Sequence, residues 1–170
     1  MALFEPAFSF TMDNEDRHRS GKVTVDQGGR TRFGIAENWH HDMPAAFWTG
    51  PAEDALHMAA DVYRAEYWRP IRGSEIQDQR VASKIFDTRV NLPPRIAIEI
   101  VQRALEASGQ KITADGQMGP ATLCAINGVS PEQLLEAIVT LQAQHYREKG
   151  DPRYLPGLLN RAHALPPTSA

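Results

Sequence analysis

The stretch NEDRHRSGKVTVDQGGRTRFGI, Asn14 to Ile35, decides how this chain reads. It is crowded with charge, turns twice, and alternates like strand for only a few residues at a time. Just upstream, Glu5-Pro6 makes a helix start, with proline in the first turn where its missing N–H costs nothing. Phe4, Phe8 and Met12 recur every four residues as one apolar stripe. Glu15 follows Met12 by three and projects near the same face, at the C-terminal end of that helix. Ser20-Gly21 reads as the helix stop. Lys22 to Val25 and Thr31 to Ile35 are expected as two short strands, with Asp26 to Arg30 turning between them. No other part of the sequence carries a convincing β signal.

Downstream the pattern is helical. Gly50-Pro51 opens a helix whose inner face is Leu56, Ala59, Ala60, Tyr63 and Tyr67, ending near Trp68-Arg69-Pro70. Ser74 with Gln77 reads as a capping box for a helix carrying Val81, Ala82, Ile85 and Phe86. Asp87 to Asn91 then lead out to Pro93-Pro94. A third long helix is expected from Arg95 to Ser108, closed by Gly109. The turn Asp115-Gly116-Gln117-Met118-Gly119 precedes a Pro120 helix start, and Ser130-Pro131 opens the last long helix toward Gly150. The expected fold is mainly α, a helical domain with one small N-terminal β-hairpin. At 170 residues the chain is long enough for one domain with a real core and hardly for two. The expectation is a single domain over residues 1–165, followed by a frayed tail at 166–170.

Composition narrows the function classes. A net charge of −3 argues against a general nucleic-acid grip, although Arg17, Arg19, Lys22, Arg30 and Arg32 gather into a local basic rim. That rim suits an anionic polymer or is simply a solvated face. The single cysteine, Cys124, allows no internal disulfide, and its apolar neighbours suggest a buried packing thiol. No histidine pair has a metal-ligand spacing, so neither a metal nor any other cofactor is expected. The N-terminus lacks a Sec-type signal and no segment has the roughly 20 apolar residues of a membrane span. The chain is therefore expected to be made in the cytoplasm, with no stable membrane insertion.

The chemistry concentrates at Glu15. A carboxylate at a helix C-terminus faces the negative end of the macrodipole, and apolar neighbours would add desolvation. Both disfavour the anion, which is what a general acid needs near neutral pH. The hairpin would bring Asp26 and Thr31 back past the helix end. An acid, a second carboxylate and a water-holding hydroxyl are the apparatus of glycosidic-bond hydrolysis. The plainer reading is a solvated Glu15 paired with Arg17 or Arg19, beside an ordinary hairpin turn whose glycines supply positive φ.

The order of several motifs resembles glycoside hydrolase family 108, the N-acetylmuramidases once described as secretion activators, which include phage endolysins. The matching residues are Glu15, then Asp26-x-Gly28-Gly29-x-Thr31-x-x-Gly34-Ile35, then Tyr67-Trp68, then Phe86-Asp87-x-x-Val90-Asn91. The downstream half resembles the peptidoglycan-binding region that accompanies such domains, at Gln102 to Leu105, Asp115 to Thr122 and Gln142 to Tyr146. The resemblance runs from about Phe4 to about Arg161 and divides the lysozyme-like domain into a catalytic part, 1–92, and a peptidoglycan-binding-like helical part, 93–165. It places the hairpin beside an active-site cleft. It implies that Glu15 is the catalytic acid and that Asp26, Gly28, Gly29 and Thr31 line the cleft. By a similar logic in phage-type lysozymes, Asp26 and Thr31 direct the attacking water. The chain departs from the family's Glu-Gly-Gly-Tyr start, reading Glu15-Asp16-Arg17-His18, with about two extra residues before Asp26.

The resemblance implies peptidoglycan as substrate and partner, action at the cell wall, a monomer, and release through a partner such as a holin. Aromatic faces stack on sugar rings and amides bind N-acetyl groups, which makes Trp39, Tyr63, Trp68 and Asn91 substrate-binding candidates. The spacing of Tyr63 from Ala59 is that of a core stripe, Trp68 fits core or cleft, and Asn91 could cap the next element, although its family position favours the cleft. Phe33 is expected to pack beneath the hairpin, and Trp48 to lie in a loop beside Trp39. The leading reading is an N-acetylmuramidase cutting the β-1,4 bond from N-acetylmuramic acid to N-acetylglucosamine. A lytic transglycosylase and a non-catalytic wall-binding or export-assisting protein stay open beside it.

Overall fold

The computed structural model of the chain describes residues 1–16, 18–26 and 29–168. Helix α1, Phe4–Glu15, carries Phe4 and Met12 of the stripe into the interior together with Ala7, Phe10 and Thr11. It ends before the expected Ser20-Gly21 stop. Asp16 leaves helical geometry, and its carboxylate accepts hydrogen bonds from the Gly21 N–H at 3.0 Å and the Ser20 hydroxyl at 3.2 Å. A short acidic side chain bound to its own loop competes with helical continuation.

Three strands follow where two were expected: β1 Thr24–Asp26, β2 Gly29–Arg32 and β3 Ile35–Ala36, antiparallel in that order. Thr24 pairs with Thr31, and Thr31 pairs on its other side with Ala36. The anticipated strand over Thr31 to Ile35 is broken because Phe33 and Gly34 both have positive φ, 48° and 77°. That is the backbone of a tight hairpin turn. Phe33 is buried beneath it, as its apolar character implied.

A short helix α2, Ala45–Thr49, occupies the region read as loop. It turns Trp48 inward to 6% exposure, edge-on to Phe47, so Trp48 is a core residue and not a rim residue. Helix α3, Ala52–Tyr63, runs into a π-helical turn at Arg64–Trp68, where the Arg69 N–H reaches the Arg64 carbonyl at 3.0 Å. The wider turn delivers Trp68 into the core, where its indole N–H donates to the Ser74 hydroxyl at 2.9 Å. Ser74 is thereby engaged, and the cap of the next helix is Asp78, which accepts the Val81 N–H at 2.9 Å.

That helix, α4 at Gln79–Asn91, is the axis of the fold. Every residue from Val81 to Thr88 is buried, so it is enclosed on all sides. Around it pack α1, α5 (Pro94–Ala107) and α7 (Pro131–Lys149). Phe86 has no exposure and meets the rings of Phe4, Trp68 and Tyr63 at 5.8, 5.7 and 6.3 Å. Truncating such a residue to alanine typically costs about 3–5 kcal/mol. The larger core cluster runs from Ala2 through Phe86 to Leu135 and Ile138, joining both halves of the chain.

In the second half, α6 is Pro120–Gly128 and α8 is Leu155–His163. The buried Gln102 side chain donates to Asp115, to the Gln117 carbonyl and to Thr122, and accepts the Gly116 N–H. It thus fastens the Asp115-Gly116 turn as scaffold. Cys124 corrects the sequence reading: it lies on the outer side of α6 and is exposed. Helix α8 was not anticipated. It packs on α7, with Ala162 entering a second apolar cluster that includes Leu92, Ile100 and Tyr146. No helix among the described residues is long and apolar enough to cross a membrane.

Candidate active site

Glu15 is the last residue of α1. Its backbone is open to solvent, but its side chain keeps only 25% exposure. The surroundings differ from the apolar ones expected. Oε1 accepts a hydrogen bond from Arg161 Nη1 at 2.5 Å, so the partner is a cation from α8, and the Arg19 pairing considered from sequence is not formed. The same guanidinium donates to Asp87 through Nη2 at 2.9 Å and Nε at 3.2 Å. Asp87, on α4, is wholly buried and also accepts from the Asn14 amide at 3.2 Å. Burial works against the Arg161 charge, but Asp87 and Glu15 outweigh it and hold the guanidinium protonated more firmly than usual.

Lys84, one turn before Asp87 on α4, has no exposure. Its ammonium donates to the carbonyls of Arg161, Ala162 and Ala164 at 3.2, 2.7 and 3.1 Å. It thus caps the negative C-terminal end of α8. Burial pulls its pKa down to about 8, against an opposing pull from Asp87. The polar face of α4 continues through Thr88 to Asn91, whose side-chain oxygen accepts the Tyr146 hydroxyl, itself bonded to Gln142.

On the other side of Glu15 stands the Phe33-Gly34 turn. A Cβ at Gly34 would collide with the Tyr63 hydroxyl and lie 3.5 Å from Glu15 Oε2. Only glycine allows this approach at φ 77°. The Tyr63 hydroxyl donates to the Phe33 carbonyl at 3.1 Å. Burial first, and then the Glu15 charge, push its ionisation far above the ordinary phenol range, so it stays protonated and available as a donor.

A groove of about 570 Å³ opens beside the cluster, lined among others by Asn14, Asn91, Tyr154, Asn160 and Arg161. Its amides and the exposed ring of Tyr154 suit a sugar bearing acetamido groups. A slightly larger cavity, about 620 Å³, lies at the Asp115 turn and shares no lining residue with the groove. The first groove is the better catalytic candidate because Arg161, one of its lining residues, is bonded to both Glu15 and Asp87.

The sequence-derived candidates divide accordingly. Asn91 lines the groove. Tyr63 and Trp68, at 2% and 3% exposure, are core residues and offer no ring face to a sugar. Trp39 is open, at 84% exposure, just after β3. Thr31 is half-buried in the middle of β2, and Gly29 begins that strand with φ 88°. Asp26 pairs with Gly29 through the backbone register; Gly28 and Arg17 lie outside the described residues. The basic rim largely dissolves. Arg32 is buried, donating to the carbonyls of Gly21, Phe47 and Gly50, Arg30 pairs with Glu37 at 2.5 Å, and Arg19 pairs with Asp13 at 3.2 Å. Sequence reasoning missed Arg161, Lys84 and Asp87 as site residues. The spacing of Leu155, Leu158, Leu159 and Ala162 could have revealed α8, but nothing local marks its partners. Among the described residues, no group of His, Cys, Asp or Glu is placed to hold a metal ion.

Residues 8–92 match the family model described as glycosyl hydrolase 108. Residues 96–162 match a second model, described as a predicted peptidoglycan domain. Among solved structures, the chain is similar to that of Brucella abortus SagA, with a TM-score of 0.64 and 20% sequence identity. That match covers 98% of this chain and 97% of the other, and it shows a shared fold. No protein of curated function matches the sequence.

Proposed function

We propose that this chain, which belongs to the glycosyl hydrolase 108 family, is an N-acetylmuramidase that cuts the β-1,4 bond between N-acetylmuramic acid and N-acetylglucosamine. Family membership together with the peptidoglycan domain makes peptidoglycan its substrate or partner. Glu15 protonates the glycosidic oxygen as the bond to the anomeric carbon breaks. Asp26, with the Thr31 hydroxyl, guides the water that adds to that carbon and accepts its proton. Trp39 and Asn91 contact the glycan. The observation that carries the reading is the Glu15 carboxyl at the end of α1, mostly covered, beside an amide-lined groove. Carboxyl groups roughly 6.5–9.5 Å apart in the substrate complex would give inversion, and about 5–5.5 Å retention.

The two matched regions act as one folding unit, because the larger core runs through both. The protein works as a monomer at the cell wall, released there by a holin-type partner. Two measurements test the function. Glu15→Gln should abolish the loss of turbidity of permeabilised bacterial cells while leaving sedimentation with purified wall intact. Mass spectrometry of wild-type digests should show reducing N-acetylmuramic ends. Anhydro ends would make the enzyme a transglycosylase, and a fully active Glu15→Gln variant would remove Glu15 from the mechanism.

A further inference from the structure

Glu15 is reached from the far half of the chain. Arg161 lies 146 residues downstream, inside the matched peptidoglycan domain, whereas Glu15 and Asp87 lie inside the glycosyl hydrolase region. The guanidinium gives two of its N–H groups to Asp87 and one to Glu15. Paired, planar bonds of that kind fix a guanidinium in orientation as well as place. Its backbone is fixed too, because Lys84 holds the carbonyls of Arg161, Ala162 and Ala164. At 10% exposure, the Arg161 side chain has little room to swing away.

The two oxygens of Glu15 then differ. Oε1 is occupied by Arg161, while Oε2 lies toward Gly34 and the sheet. A protonated carboxyl keeps an acceptor oxygen, so the bond to Oε1 persists whether or not Oε2 carries a proton. We propose that Arg161 is the positioning residue of the Glu15 acid, fixing Oε1 and leaving Oε2 to hold and deliver the proton, so that the second half of the chain completes the active site. This rests on the reading of Glu15 as the general acid. As the proton leaves Oε2 and the carboxylate forms, a preorganised cation already faces it. Asp87 offsets part of that cation's charge through its two bonds to the guanidinium.

Among the described residues, the charged and titratable groups around Glu15 are Arg161 from α8, Asp87 and Lys84 from α4 and the Tyr63 hydroxyl from α3, with Tyr67 of the π turn and Tyr146 of α7 beyond them. The three phenols are pushed upward by burial and stay neutral through the working range. Lys84, with its pKa at about 8, titrates in the alkaline range, so the alkaline limb of each variant is also measured on a Lys84→Met background, where that group is absent.

The test uses the full chain in four forms: wild type, Arg161→Gln, Asp87→Asn and Glu15→Gln. Turnover and KM are measured on solubilised peptidoglycan strands across pH, with melting followed in parallel. Arg161→Gln should lower kcat by about 100-fold with KM within about 3-fold, and its alkaline limb should move to higher pH. Asp87→Asn should move that limb the other way, because the cation is then unopposed. If Arg161→Gln folds and keeps wild-type kcat and the same limb, the proposal is overturned. If it does not fold, Asp87→Asn on the Lys84→Met background decides: a downward limb supports the proposal, and an unmoved limb overturns it. An active Glu15→Gln variant would instead sink the acid assignment, which separates the two failures.

Discussion

Gly34→Ala probes the closest approach in the candidate site, and a second glycine supplies its control. Gly34 has φ 77° and Gly109 has φ 86°, so an alanine at either position is forced into the left-handed region. That costs about 1–2 kcal/mol, less roughly 0.4–1 kcal/mol recovered from the stiffer unfolded chain. At Gly109 nothing lies within 4 Å of the added Cβ, and the cost stops there. At Gly34 the Cβ meets the Tyr63 hydroxyl and must displace it or the turn. The bond from Tyr63 to the Phe33 carbonyl then breaks, leaving a buried hydroxyl unpaired at about 1–3 kcal/mol. Gly34→Ala should therefore destabilise by about 2–4 kcal/mol and Gly109→Ala by about 1 kcal/mol. For a chain of this size the gap of about 1–3 kcal/mol between them is about 2–12 °C in melting temperature. Differential scanning calorimetry measures the gap, and wall-lysis assays below both melting points should show activity loss at Gly34 alone. Equal melting temperatures with full activity in both variants would refute the packing of this turn against Tyr63 and Glu15.

Two further outcomes follow from the buried charges and the shared core. With Lys84 at about 8 in the folded state and near 10.4 unfolded, the unfolded chain binds more protons between those values. Stability should therefore rise with pH from about 8 toward 10, by up to about 3 kcal/mol, before the raised tyrosines act in the opposite direction. Urea unfolding of Lys84→Met should lack that rise, and an unchanged slope would show that Lys84 is not its source. Separately, a fragment ending at Leu92 would expose the apolar surface of α4 that α5 and α7 cover. It should give no cooperative melt and no lysis; a folded, active fragment would contradict a single folding unit.

Much of this molecule could be read along the chain, and the exceptions share one cause. The Phe4, Phe8 and Met12 stripe placed Glu15 at the end of α1, and proline starts located α5, α6 and α7 within a residue or two. Local signals did less well where a short polar side chain chose between partners. Asp16 turned to Gly21 and ended α1 early, and Asp78, with Ser74 already engaged by Trp68, capped α4. The Phe33-Gly34 turn was hidden because phenylalanine is an uncommon residue at positive φ.

The larger omission is the second half of α4. Asp87, Thr88 and Asn91 look like a solvated exit from a helix, since charged and amide side chains seldom enter a core unpaired. Asp87 and Thr88 are buried and Asn91 is half-buried because Arg161, Gln142 and Tyr146 meet them there, from 74, 54 and 55 residues away. No periodicity spans such separations, so buried polar partners are the part of a fold that sequence pattern hides best. They also surround the candidate site. Removing two carboxylates, a guanidinium and an ammonium largely from water is rarely more stabilising than packing hydrocarbon of the same volume. Their arrangement makes better sense as a means of fixing one carboxyl oxygen while leaving the other free to exchange a proton. That requires two elements remote in sequence to close on Glu15 at once, which only the completed fold provides.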